Sequence, residues 1–560
     1  MTAQEKEELI SINDNEELKE FRFSFPMDFG TAGLRSTMYM GIGCMNRFTV
    51  AQTARALASL VNDVNGGERG VVIAYDSRNN SELFAKVSAS VLAFYGVKAY
   101  IFDSLRPTPE LSFALKELSA MAGINITASH NPKEYNGYKV YWEDGAQIGA
   151  EQAKLISEKR NEFDVLDISG TDIFDEAVKD GRIVILDEAF DRVYLDAVKK
   201  TAIDPDAVLE VADELKVVYT PLHGAGRRLV PEILRGIGVK HLYTVDEQMI
   251  ADGNFPTVKK PNPEYRESFE LGIELANKVG SDLIIATDPD ADRVGVVARD
   301  RENKFVTLTG NQMGALLLDY VIRARREKGL LKDNAYAVKS IVSTDMAYRI
   351  CEKQGIKLHD VLTGFKYIGE VIKNYEMSGA EDGFILGFEE SYGYLLGTYA
   401  RDKDAIETSM MILEMTAYYK KQNMTLYDAM QQLYKTYGYY AEAVAEIYME
   451  GLDGIEKRRR VMSSLRSEPP KDIGGYAVKS VSDYLSGMTL HLESGKEQII
   501  EQPKADVLYY TLENDDKVII RPSGTEPKIK IYALAHADDE SALGDKIKIY
   551  KESAKKLAEI

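Results

Sequence analysis

Four stretches of this chain place reactive side chains in polar turns directly after apolar runs: GINITASHNP, DLIIATDPDADR, FILGFEESYG and VIIRPSGTEP. In the first, Ser129 stands beside His130 and ahead of an Asn-Pro pair. A serine hydroxyl is a poor nucleophile until a base or a metal activates it, so the pair reads either as an activated nucleophile or as a serine turn with an incidental histidine. No Gly-x-Ser-x-Gly elbow surrounds it, which sets an α/β-hydrolase triad aside. Lys139, in YNGYKVYW, falls on an expected strand that can face the same pocket. In the second turn Asp288, Asp290 and Asp292 recur at every other residue. Carboxylates this close repel one another unless a cation sits among them, and hard oxygen donors favour Mg²⁺, Mn²⁺ or Ca²⁺ over zinc. Arg293 and Arg299 occupy the positions where an EF-hand needs glycine and glutamate, leaving an oxygen-ligated cation or a solvated acidic turn. The third turn offers Glu389 and Ser391, groups able to move protons or hold sugar hydroxyls. The fourth offers Arg521, Ser523, Gly524 and Thr525; this suits a phosphate dianion, although an ordinary Ser-Gly turn looks the same. Taken jointly, a nucleophile, an acidic cluster, a hydroxyl-binding turn and a phosphate turn describe phosphoryl transfer on a polyhydroxylated substrate.

Turns of this kind need rigid strands behind them, because ligands of open α/β sheets bind beyond the strands' carboxyl ends. The first 200 residues alternate β-rich runs (GVVIAY, VKAYIF, AGINIT) with segments of helical periodicity at 81–95 and 109–118, the pattern of a buried, mostly parallel sheet. The alternation restarts at KVVY from Lys216 and again near Ala335. The last 120 residues instead run strand pieces at 476–481, 489–492, 517–520 and 528–533 into one closing helix, which fits an α+β unit with a mostly antiparallel sheet. Four units follow, at 1–205, 206–308, 309–440 and 441–560, each contributing one turn to a common cleft. The length, 560 residues, accommodates them.

Composition sets the surroundings. With 69 Lys and Arg against 89 Asp and Glu, the net charge is −20, which argues against a nucleic-acid or anionic-membrane partner. Two distant cysteines make a disulfide scaffold or a structural zinc site a poor fit. No apolar run reaches the length of a membrane span and the N-terminus lacks a signal-type core, so a cytoplasmic location is expected.

In this order, TASHNP, DPDADR, GFEESYG and RPSGTEP resemble the motifs of the α-D-phosphohexomutase superfamily, and the likeness begins at FGTAGLR and covers nearly the whole chain. The resemblance implies a four-domain, heart-shaped α/β architecture: three α/β units with mixed sheets and a C-terminal α+β domain. It implies that Ser129 is a phosphoserine and that Asp288, Asp290 and Asp292 hold Mg²⁺ together with a phosphate oxygen on Ser129. Arg35, His130 and Lys139 then surround the transferring phosphoryl group, with Lys139 moving the proton. Arg293, Gly364 and Lys366 of TGFKYIG, Glu389, Ser391 and Lys403 of RDKDA face the sugar. Arg521, Ser523, Gly524 and Thr525 grip the non-reacting phosphate. The priming cofactor implied is glucose 1,6-bisphosphate; no Walker A or kinase-type glycine loop points to ATP. EESYG resembles glucose-handling members, with Tyr392 and Gly393 where mannose/glucose enzymes more often carry Gly-His. GTAGLR and the length resemble the phosphoglucomutase-2/phosphopentomutase branch. Phosphoglucomutase activity is thus the first expectation; phosphopentomutase, glucose-1,6-bisphosphate synthase and a non-catalytic sugar-phosphate binder are the others. A monomer or weak dimer is expected.

Overall fold

The computed structural model describes residues 1–30, 33–449, 451–523 and 528–558. Within these residues, the strands form four sheets. In the first, Val71–Tyr75, Ala99–Phe102, Ala122–Ile126 and Ile183–Leu186 run parallel, and Tyr135–Trp142 and Leu34–Thr37 extend the sheet antiparallel. Strand Val71–Tyr75 shows why such runs are apolar throughout. Val71 and Ile73 pack under helices Arg47–Asp63 and Ser81–Phe94, while Val72 and Ala74 pack under helix Thr108–Glu117, so both faces are covered.

The second sheet pairs Lys216–Thr220, His241–Thr244 and Leu283–Thr287 in parallel, then turns through a hairpin into Val294–Arg299 and Phe305–Leu308. The third pairs Tyr336–Ser340, Lys357–Val361 and Phe384–Glu389 in parallel, with Gly393–Leu395 folded back antiparallel. All three α/β sheets are therefore mixed: the antiparallel strands lie towards one edge, where the chain doubles back after a polar turn.

The C-terminal sheet is antiparallel, but it is larger than the sequence pattern suggests. Strand Tyr439–Tyr448 pairs over ten residues with Lys528–Ala537, and Leu508–Leu512 and helix Gly451–Ser467 also belong to this unit. YYAEAVAEIY is rich in Ala and Glu, which favour helices; long-range pairing overrides that preference.

One large apolar cluster runs through the first three units, from Phe113 and Tyr194 through Ile233 and Leu234 to Leu316 and Met410. At its centre helix Ala405–Lys420 is buried on almost every side, as its lack of a polar face requires. The C-terminal unit has its own core around Val461, Ile520, Ile531 and Tyr550. It meets the third unit through Ile341, Val342 and Leu362 packed on Tyr484, Val507, Ile519 and Tyr532. Among the described residues, no helix is long and apolar enough to cross a membrane.

Candidate active site

Strand Ala122–Ile126 delivers Ser129 into the centre of the molecule, where it is 4% exposed. Its backbone takes φ +51°, a left-handed conformation that costs a non-glycine residue on the order of 1 kcal/mol. A buried scaffold offsets this cost. The Ser129 N–H donates to Thr127 Oγ1 at 2.8 Å, and the Thr127 hydroxyl donates to Asp76 Oδ2 at 2.6 Å. The Arg78 guanidinium donates to the carbonyls of Ser129, Asn131, Pro132 and Tyr135, clamping the turn from beneath. Asp76 and Arg78 follow strand Val71–Tyr75 in the same strand-to-polar-turn pattern as the four turns above, a signal that sequence reading left unused. The Ser129 hydroxyl donates to Asp288 Oδ2 at 2.8 Å and lies 3.2 Å from His130 Nδ1. Burial, with the Arg293 and Arg35 guanidinium groups nearby, holds His130 well below the usual imidazole range. Arg35, on the antiparallel edge strand, donates to Asn131 Oδ1 at 3.2 Å.

The acidic turn caps the hairpin between Leu283–Thr287 and Val294–Arg299. Asp288, Asp290 and Asp292 are all buried, and a ligand atom of each lies within 4.8 Å of the others. Ala291, at φ +50°, bends the turn so that three alternate side chains converge. Asp288 is fixed by the N–H groups of Asp292 and Arg293. Thr108 of the first unit donates its N–H to the Asp290 carbonyl and its hydroxyl to Asp290 Oδ2, docking the two units at this turn. Burial and the neighbouring Asp290 and Asp292 push the Asp288 carboxyl far up. Burial acts on Asp290 the same way, but Lys139, 2.9 Å away, holds that carboxyl well below the usual carboxylate range. Lys403 lies 3.2 Å from Asp292. Even so, Asp290 Oδ1 and Asp292 Oδ1 are buried and accept no hydrogen bond. Three converging carboxylates with orphaned inner oxygens fit a hard divalent cation of the Mg²⁺ kind.

The other two turns line a cleft of about 860 Å³ together with residues from all four units, including Arg35, His130, Arg293, Gly364, Lys366, Glu389, Ser391, Arg521 and Ser523. Glu389 ends strand Phe384–Glu389 and accepts the Gly364 N–H at 2.7 Å, so the two meet although sequence separates them. Tyr392, at φ +67°, turns the chain back into Gly393–Leu395. Arg521 donates to Thr363 Oγ1, and the Ser523 N–H donates to the Lys528 carbonyl. Gly524 and Thr525 lie outside the described residues. Lys139 and Lys403 are held at the acidic turn rather than on the open cleft wall. Lys530 was missed from sequence: it is directly opposite Arg521 on the neighbouring strand and also opposite Glu446, which pairs with it at 3.3 Å. Two cations side by side on one sheet face disfavour each other until an anion joins them.

A serine turn against a carboxylate turn, beside a cleft lined by arginine, lysine and hydroxyl groups, suits phosphoryl transfer in an α/β scaffold. In keeping with this, residues 26–164, 192–302 and 309–437 match the alpha/beta/alpha domains I, II and III of the phosphoglucomutase/phosphomannomutase family, and the chain belongs to that family. Among its relatives, a phosphoglucomutase of Staphylococcus aureus (strain N315) is 37% identical over 94% of this chain and 92% of its own length. Among solved structures, a Thermus thermophilus protein assigned as a phosphomannomutase superposes with a TM-score of 0.70 at 24% identity, covering 96% of this chain and 100% of that one. The open form of pp63/parafusin, a phosphoglucomutase from Paramecium, gives 0.65 at 17% identity over 95% of both chains.

Proposed function

We propose that the protein is a phosphoglucomutase, interconverting α-D-glucose 1-phosphate and glucose 6-phosphate through a phosphoserine at Ser129 and a glucose 1,6-bisphosphate intermediate. One observation carries the reading: a buried serine hydroxyl lies 2.8 Å from a carboxylate cluster, and its neighbour His130 lines a cleft that also gathers Arg521, Ser523 and Lys530. Such a cleft suits a sugar with phosphate at both ends.

In the transfer, a substrate hydroxyl oxygen attacks phosphorus, the bond from phosphorus to Ser129 Oγ breaks, and the hydroxyl proton passes by way of Lys139 to Ser129 Oγ. The bisphosphate turns over and the steps run in reverse at its other end. Arg35 and His130 border the moving phosphoryl group. Arg293, Gly364, Lys366, Glu389 and Ser391 hold the sugar, with Lys403 set back beside Asp292; Arg521, Ser523, Gly524 and Thr525 hold the resting phosphate, with Lys530 beside them. Asp288, Asp290 and Asp292 would hold Mg²⁺ with a phosphate oxygen on Ser129, and the ion when bound neutralises phosphate charge, the chief requirement of this chemistry. Burial keeps water from the phosphoserine, which otherwise makes a phosphatase.

The functional units are assigned to 1–205, 206–308, 309–440 and 441–560, in a monomer or weak dimer acting on free sugar phosphates in the cytoplasm. The test is a ³¹P NMR time course with Mg²⁺ and trace glucose 1,6-bisphosphate, offering glucose 1-phosphate and ribose 1-phosphate in parallel. Faster formation of glucose 6-phosphate is expected. A ribose preference would make the enzyme a phosphopentomutase, and inorganic phosphate alone would overturn the mutase reading.

A further inference from the structure

The carboxylate turn and the serine turn belong to different units, yet catalysis needs them in register to a fraction of an ångström. The geometry points to His223, which sits outside the cleft and touches neither turn with its side chain, as the positioning residue that locks one to the other. This inference rests on the mutase reading above.

The loop after strand Lys216–Thr220 has two successive left-handed residues, Leu222 at φ +47° and His223 at φ +66°. Leucine gains nothing from that conformation, so the surroundings impose it. The distortion serves two contacts. On one side the loop seats against the carboxylate turn: the Ala225 N–H donates to the Pro289 carbonyl at 2.7 Å, and Gly224 lies so close that a Cβ there would be 2.4 Å from Pro289 Cα. On the other side the His223 ring, 1% exposed as a residue, reaches into the segment 248–257.

There the hydrogen-bond directions follow from chemistry. The Ile250 carbonyl, 2.8 Å from Nδ1, only accepts, so Nδ1 carries the proton. The Thr257 hydroxyl, 2.8 Å from Nε2, then donates to the ring while accepting from Gln248 Nε2 at 2.9 Å. Gln248 Oε1 accepts from Thr220 Oγ1, which accepts from the Leu222 N–H. The His223 N–H itself donates to the Gln248 carbonyl. Each side chain in this network uses both its donor and its acceptor, so it has one low-energy arrangement.

The segment so fixed carries the contact onward. Phe255, itself at φ +47°, lies beneath the Arg78 guanidinium with 5.1 Å to the ring centroid. Gly253 fits against the Arg78–Asn79 backbone where a Cβ would be 2.3 Å from Asn79 N, and Asn254 accepts from the Asn79 side chain at 3.2 Å. Arg78 is the group that clamps the serine turn by four carbonyls. A continuous set of contacts therefore runs from Pro289 through His223 and Phe255 to Arg78 and the backbone of Ser129.

Two substitutions test it: His223→Asn, because asparagine tolerates left-handed backbone but is too short to span both partners, and Thr257→Val, which removes the hydroxyl from an exposed residue and spares the fold. Hydrogen exchange is measured by mass spectrometry beside steady-state kinetics on the full chain. Expected in both variants is faster amide exchange, about fivefold or more, in 248–258 and also in 127–131, the part of the serine turn that does not line a pocket with Thr257. With it kcat falls about tenfold while KM stays within twofold, since misplacing reacting groups slows chemistry more than binding. The double variant should be no slower than the worse single one. Exchange that rises only in 248–258, or an unchanged kcat, overturns the proposal. Wild-type protein without mutase turnover overturns the functional reading instead; the exchange pattern still decides the positioning claim.

Discussion

At Ser129 the local chemistry is arranged around an oxygen held by one acid and approached by one imidazole. Ser129→Ala should lower kcat by at least about 1,000-fold with an unchanged circular dichroism spectrum, because the Thr127–Asp76 and Arg78 contacts that shape the turn engage only its backbone. Mass spectrometry of the phosphopeptide provides the second readout; substantial residual turnover would remove Ser129 from the nucleophile role. His130 predicts a pH effect. Its folded-state pKa is depressed, so the unfolded chain binds the extra proton first. Its contribution to stability is complete above about pH 6.5 and is lost as the pH falls towards the folded value. Urea midpoints measured at pH 7.5 and 5.5 should differ less in His130→Asn than in the wild type.

Secondary-structure elements bring these residues together, and here sequence was unevenly informative. The runs before the serine, aspartate and glutamate turns are largely apolar strands buried on both faces, so the elements were legible along with the residues at their ends. Asp76 and Arg78 were marked only as a polar turn after a strand, not by their partners, and Thr108 not at all, because all three act on hydroxyl, backbone or carboxylate groups far away in the chain. Gly310 opens helix Gly310–Glu327 directly behind the glutamate turn, where a Cβ would be 2.1 Å from the Glu390 carbonyl oxygen. Gly310→Ala should therefore displace that turn, raising KM for the sugar phosphate about fivefold or more and costing about 1–3 kcal/mol of stability, read by kinetics and denaturant melts. Helix Ala405–Lys420 carries Glu407 fully buried, where burial and the adjacent Asp404 push its carboxyl up to about 8. A raised folded pKa means stability that is complete below about pH 4.5 and gone once the pH has risen through 8. Glu407→Gln should flatten that decline, measured as the urea midpoint between pH 6 and 8.5.

Across the whole molecule, among the described residues, one apolar cluster links the first three units, the first of which also has a core of its own. The C-terminal unit reaches that cluster through Tyr440, has its own core and meets the third unit at a smaller apolar junction, with the chain crossing near Gly438. Calorimetry should resolve two unfolding transitions, the C-terminal one at the lower temperature; a single transition at every scan rate would contradict that partition. The pairing of Tyr439–Tyr448 with Lys528–Ala537 also imposes an order on biosynthesis. A ribosome adding about 5–20 residues per second needs roughly 4–16 s to translate residues 449–527 between them. Throughout that interval the earlier strand is an open edge, a template for unwanted pairing. The nascent chain already holds the serine, the three aspartates and the glutamate turn, while the sheet bearing Arg521 cannot close until the last strand emerges. A message truncated anywhere in that interval yields a protein that keeps three of the four turns but lacks the strand that completes the sheet of the fourth.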